Sequence, residues 1–161
     1  MQNYQCQVEI AAPSAAVFEA LTTEKGLRGW WTARCDIGTG VGAQSVFRFG
    51  KTYNVMRTEK LSPNREVIWQ CLEQHHESAK LNRKNEWAGT KLKFRMESDS
   101  PCSTGLQFEH EGLRPQLECY EICQQGWVHF LKRSLKNYVE TGRGEPYAGG
   151  ASTKDIADKQ R

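Results

Sequence analysis

Along most of this chain apolar residues recur at every second position, and only near the end does the step lengthen to three and four. Over about 115–140 the residues Tyr120, Cys123, Trp127, Phe130, Leu131, Leu135 and Tyr138 share one side of a helix, with Glu118, Gln125, Lys132, Lys136 and Glu140 opposite. Thr141-Gly142 then supplies a glycine stop. A helix with so broad an apolar face is not stable alone in water, so the rest of the chain must give it a surface.

The earlier pattern predicts that surface. Residues 4–11 set Tyr4, Cys6, Val8 and Ile10 against Gln5, Gln7 and Glu9, a strand with one buried side. Pro13 opens a short helix carrying Val17, Phe18 and Leu21, and Thr22-Thr23 caps a second one that runs into Trp30-Trp31. From Ala33 the period is two for about eighty residues, with breaks at 38–42, 50–51, 62–64, 73–86 and 99–101. Phe47 pairs in face with Phe49, Tyr53 with Val55, and Val67 with Trp69 and Cys71. Leu92, Phe94 and Met96 alternate with Lys91, Lys93, Arg95 and Glu97, and Leu106, Phe108 and His110 follow on the next strand. Short strands joined by short turns predict an antiparallel meander covered by the one long helix, an α+β fold. Segment 73–86 is longer than an ordinary hairpin loop and suits a lid or a mobile loop. Residues 147–161 lack periodicity and are predicted to be a disordered tail, which leaves 1–146 as a single domain.

Charge narrows the partners. With 22 basic against 19 acidic residues the net charge is +3, too balanced to mark a nucleic-acid or membrane surface. A mean hydropathy of −0.70 in a chain with five tryptophans concentrates the buried area in large rings. The six cysteines, Cys6, Cys35, Cys71, Cys102, Cys119 and Cys123, contain no C-x-x-C pair, so neither a metal site nor a cofactor is indicated. Polar residues interrupt the N-terminus where a secretory segment would be apolar, and no run is long enough to span a bilayer. Reduced thiols and a cytoplasmic location are the expectation.

Candidate chemistry lies mostly between the sheet and the last helix. Trp30, Trp31, Phe47, Tyr53, Trp69, Phe94, Phe108, Trp127 and Leu131 are predicted to line that space, an apolar concavity suited to a small molecule; the plainer reading is a packed core. His110 falls on the same face and has the chemistry to orient a polar group or act as a base, against the plainer reading of a buried, hydrogen-bonded histidine. His75-His76-Glu77 reads as a solvated loop rather than a metal site. Lys91, Lys93 and Arg95 form a basic comb suited to an acidic partner or simply to solubility. Cys119 and Cys123 stand one helical turn apart, awkward for a disulfide, and Cys123 reads as core. Gly38, Gly40 and Gly42 precede no helix that would receive a phosphate.

A strand, two short helices, a meander and a long final helix resemble the helix-grip fold of START lipid-transfer domains, the major birch pollen allergen and polyketide cyclases. Ile10-Ala11-Ala12-Pro13, Val17 to Thr22, Leu27 and Trp30-Trp31 resemble the opening of the branch named after the activator of Hsp90 ATPase. So do Glu86 to Thr90, Leu106 to Leu113, Gly126-Trp127, Ser134-Leu135-Lys136 and Thr141 to Gly144. In the eukaryotic co-chaperone that gives the branch its name, a separate N-terminal domain makes a major part of the chaperone contact, and within these 161 residues no counterpart of it is expected. The resemblance therefore implies a cavity-bearing protein more firmly than chaperone regulation. The leading expectation is non-catalytic binding of a small hydrophobic or amphipathic molecule between sheet and helix. The alternatives are a protein-interaction module acting on a chaperone or other partner, and a cyclase- or hydrolase-type enzyme using His110. The pattern leaves oligomeric state open.

Overall fold

The computed structural model describes residues 2–148. The opening alternation forms strand β1 (Tyr4–Ile10), and two short helices follow, α1 (Ser14–Thr22) and α2 (Glu24–Trp30). Pro13 stands one place ahead of α1, where its carbonyl accepts the N–H of Ala16 at 3.0 Å. Thr23 caps α2 by accepting the Gly26 N–H at 3.0 Å. The period-two region becomes β2 (Arg34–Asp36), β3 (Gln44–Phe49), β4 (Thr52–Ser62), β5 (Glu66–His75), β6 (Lys91–Ser100) and β7 (Ser103–Glu111). All seven strands join in one antiparallel sheet ordered β1-β7-β6-β5-β4-β3-β2. The meander thus starts at the edge far from β1 and closes beside it.

The last helix, α3, starts at Tyr120 rather than at 115. Its first orphan donors explain where: the Glu86 carboxylate accepts the N–H of Cys119 at 3.0 Å and of Glu118 at 3.3 Å. It is α-helical over Tyr120–Trp127, π-helical over Val128–Leu135 and α-helical again over Lys136–Thr141. Gly142 ends it at φ 87°, with its N–H on the Tyr138 carbonyl at 2.8 Å, as the glycine stop predicts. Helix α2 meets α3 at Gly29, where a Cβ would collide with the Tyr138 ring. This is the α+β helix-grip arrangement that the sequence predicts.

Between sheet and helix the rings pack against one another. Trp31 lies 5.7 Å from Trp30, 5.6 Å from Trp127 and 4.4 Å from Phe47, and Trp87 stacks on Trp127 at 5.5 Å. Each such pair adds about 0.5–1.5 kcal/mol to the area it buries.

Three expectations need correction. Tyr53 and Val55 face outward, because β4 turns Thr52, Asn54, Met56 and Thr58 inward; the Tyr53 hydroxyl donates to Glu73 on the outer surface. Segment 73–86 is packed, not a free lid. Leu81 and Trp87 are buried, the Lys84 ammonium donates to the carbonyls of Ser78 and Leu81, and Glu118 of the pre-helix turn accepts the N–H groups of Asn82 and Arg83, both at 2.7 Å. Tyr147, assigned to the tail, is buried and bridges to Thr32. The disorder expected from 149 onward lies outside the described residues.

Candidate functional site

One irregularity in β5 creates the site. Val55 pairs with Glu73 and Met56 with Cys71, which leaves Leu72 as an extra residue, a bulge. Before it Val67, Trp69 and Cys71 point inward; after it the inward residues are Gln74 and His76. Strict alternation would have put His75 inside and His76 in solvent, so the reading of 75–77 as a solvated loop holds for His75 and Glu77, which pair at 2.7 Å, and fails for His76, 4% exposed.

Gln74 and His76 join Thr52 and Asn54 of β4 as the polar side of a cleft whose apolar side is Trp31, Phe49, Trp87, Trp127 and Phe130, with Cys123 and Gly126 of α3 closing it. The cavity at its base is about 30 Å³, and it opens from there to solvent. Some of the polar wall is satisfied internally. Thr52 Oγ1 accepts the Glu77 N–H at 2.9 Å, and Gln74 Oε1 accepts the Trp87 N–H at 2.8 Å. The Asn54 Oδ1 and both ring nitrogens of His76, though buried, have no hydrogen-bond partner. Each such atom costs a fold about 1–3 kcal/mol.

Cys123 sits at the same corner. Trp87 Nε1–H donates to its sulfur at 3.2 Å. Burial alone would raise this thiol, but the Cys119 thiol, the His76 ring close by and the Trp87 N–H outweigh it and draw the pKa down. The Cys119 thiol moves the opposite way, raised first by its bond to Cys123 and then by burial. Cys71 is pushed up to about 12 by burial, and Cys6 and Cys35 also rise. All six cysteines are free thiols.

Of the residues predicted to line a cavity, Trp31 and Trp127 reach this one. Trp30, Phe47, Trp69, Phe94, Phe108 and Leu131 are buried in the packed core around it. His110 lies behind Trp127 with both nitrogens occupied. Trp127 Nε1–H donates to Nδ1 at 3.1 Å, so Nε2 carries the hydrogen and donates to Thr90 Oγ1 at 2.9 Å, which donates on to the Trp87 carbonyl at 2.6 Å. Burial lowers its pKa from 6.5 to about 3. A neutral ring with its acceptor nitrogen filled is a structural histidine, not a base. Sequence reasoning missed the polar wall residues Thr52, Asn54, Gln74 and His76 together with Phe49, Trp87, Cys123, Gly126 and Phe130; the one usable signal was Met56, which fixes the parity of β4.

The basic comb is not a cationic surface. In the register of β6 with β7, Lys91 faces Glu111 and Lys93 faces Glu109; Lys93 pairs with Glu111 at 2.7 Å and Arg95 reaches Glu66 at 4.0 Å. Among the described residues no group of three His, Cys, Asp or Glu side chains is placed to hold a metal, and no helix is long and apolar enough to cross a membrane.

The model of the family "Activator of Hsp90 ATPase homolog 1-like protein" matches residues 11–140. The Aha1 dimer from Colwellia psychrerythraea has a similar structure, with 31% identity, a TM-score of 0.73, and coverage of 89% of this chain and 100% of that one. A Staphylococcus saprophyticus protein (16% identity, TM-score 0.69, 89% and 96% covered) and an Hsp90 activator from Plasmodium falciparum (15% identity, TM-score 0.61, 86% and 94% covered) share the fold. No curated protein matches the sequence.

Proposed function

The chain belongs to the activator of Hsp90 ATPase homologue 1-like family, and within it we propose a non-catalytic binding protein for a small amphipathic molecule seated in the cleft between sheet and α3. The carrying observation is the unpartnered Asn54 Oδ1 and His76 nitrogens on a wall facing five aromatic and apolar side chains. Such atoms are rare in folded interiors and mark places completed by something else. Their chemistry specifies the head group. Asn54 Oδ1 asks for an N–H or O–H donor, while the two His76 ring nitrogens offer polar partners, so an amide, hydroxyl or acid head fits. Size limits the rest of the ligand. The enclosed room, about 30 Å³, is far below the roughly 300–1,000 Å³ of small-molecule pockets, so only a head group of a few atoms enters it while the rest of the ligand lies in the open mouth, and the packing of Trp30, Phe47, Trp69, Phe94, Phe108 and Leu131 closes the interior to a long lipid. Free thiols suit a reducing, cytoplasmic setting.

Benzamide is a suitable probe, its amide meeting Asn54 and His76 and its ring meeting Trp87 and Trp127. Titration is followed by tryptophan fluorescence and native mass spectrometry. Asn54→Leu should weaken binding about five- to tenfold by removing one hydrogen bond, while leaving the empty protein as stable or slightly more so. Equal affinity in both proteins would falsify the assignment.

A second reading, contact with an Hsp90-type chaperone, is favoured by the 31% identity with the C. psychrerythraea Aha1 protein over 89% of this chain. It is tested by the ATPase rate of the chaperone from the same source with and without this protein; an unchanged rate and no co-migration remove it. That relative is a dimer, and the same state here would appear as concentration-dependent sedimentation.

A further inference from the structure

We propose that Cys123 is a nucleophilic thiol that captures a small α,β-unsaturated carbonyl compound within the cleft, with His76 moving the proton. The proposal rests on the cleft accepting small molecules and adds what happens to one class of them. Four observations converge. The Cys123 sulfur lines the cleft, and Trp87 Nε1–H already donates to it at 3.2 Å, a contact that stabilises negative charge on sulfur. His76 lies close to it on the same cleft, 4% exposed, with neither nitrogen holding a hydrogen-bond partner, so one nitrogen is open to receive a proton. Cys119, one turn earlier, has a thiol turned toward Cys123. Asn54 Oδ1, 2% exposed, offers an acceptor for the N–H or O–H of an unsaturated amide or acid.

The step balances without an oxidant. The Cys123 proton passes to His76, the sulfur forms a bond to the β carbon as the C=C π bond breaks, and the electron pair moves toward the carbonyl. His76 then returns the proton to the α carbon. The net reaction adds S–H across the double bond, and nothing is oxidised or reduced. The shift of the Cys123 thiol agrees with this geometry. Among the described residues it is the one thiol drawn down, while Cys6, Cys35, Cys71 and Cys119 are raised.

The test uses acrylamide as the probe on the intact protein near pH 6.5, with adducts counted by intact mass and placed by peptide mapping. Exposed Cys102 is the internal reference. A lowered pKa raises the thiolate fraction, and the cleft holds the probe's amide beside the sulfur, so the Cys123 adduct should form ahead of the Cys102 adduct. In Cys123→Ser the first adduct should disappear while the Cys102 adduct persists, and His76→Gln should slow the Cys123 adduct without slowing Cys102. Labelling of Cys102 first, with Cys123 modified only in urea, overturns the proposal, and that result comes from the native protein and needs no variant to fold. If benzamide still binds in an Asn54-dependent way under that outcome, binding stands and capture falls.

Discussion

Acidification from pH 7 to pH 5 should cost this fold about 2 kcal/mol through His110 alone. Burial holds the ring's folded-state pKa at about 3, against 6.5 in an exposed histidine. Between those values the unfolded chain binds a proton that the folded chain refuses, so the contribution is whole above 6.5 and drains away as pH falls toward 3. Each unit below 6.5 is worth about 1.4 kcal/mol. No charged group contributes, since burial is the cause of the shift, and Trp127, Thr90 and Trp87 surround the ring. The carboxylates of Glu77, Glu111 and Glu140 have lowered pKa values, so their losses fall below 4.5 and outside the window. Cys123 does titrate within it, which is why the comparison needs His110→Asn, whose Oδ1 keeps an acceptor for Trp127. Urea melts of both proteins at pH 7 and pH 5 give the answer. With a slope of about 2 kcal/mol per molar, the wild-type midpoint should drop about 1 M further than that of the variant. Equal drops in the two proteins would refute the reasoning and move the proton uptake to another histidine.

Trp127→Phe should destabilise by about 1–3 kcal/mol, because it keeps most of the ring burial but leaves His110 Nδ1 unpaired; chemical denaturation measures it. Ser134→Ala removes the hydroxyl that donates to the Trp30 carbonyl and accepts the Glu145 N–H, both at 2.7 Å, and should cost about 1–2 kcal/mol. Glu118→Ala should leave global stability nearly unchanged yet speed amide exchange at Asn82 and Arg83, whose N–H groups it holds. Wild-type exchange rates at those two amides would show that the loop is not stapled this way.

The fold was legible because its elements are announced by period. The step of two through Leu92, Phe94 and Met96, the step of three and four from Tyr120 to Tyr138, and Gly142 as a stop each appear where expected. The site was less legible because it depends on where period two fails. On β4 the more apolar pair, Tyr53 and Val55, suggested the inner face, yet Thr52 and Asn54 occupy it. Hydropathy assigns a strand face only when burial is the sole demand on it, and a polar cleft wall breaks that condition. On β5 the extra Leu72 reverses parity without any glycine or proline to signal it, so His76 looked exposed. His110, expected to line the cavity, instead takes the plainer form of a hydrogen-bonded core histidine behind Trp127, since a lone imidazole on an apolar face ordinarily finds its partners inside.

Three of the local departures from regularity therefore coincide in space, apart from the register shifts at Thr58/Lys60 and Ser98/Ser100. The Leu72 bulge turns Gln74 and His76 inward; the polar face of β4 brings Asn54 opposite them; and α3 passes into its π-helical stretch immediately after Trp127, the residue that closes the cleft. Bulges and π segments both sacrifice ladder regularity, and proteins keep them chiefly where a side chain must be re-aimed. A core built only for stability would have placed apolar side chains at 54, 74 and 76 and kept the helix uniform. Three separate irregularities on three elements border one cleft with unpartnered polar atoms, an arrangement that supports the proposed binding there and that packing for stability alone does not call for.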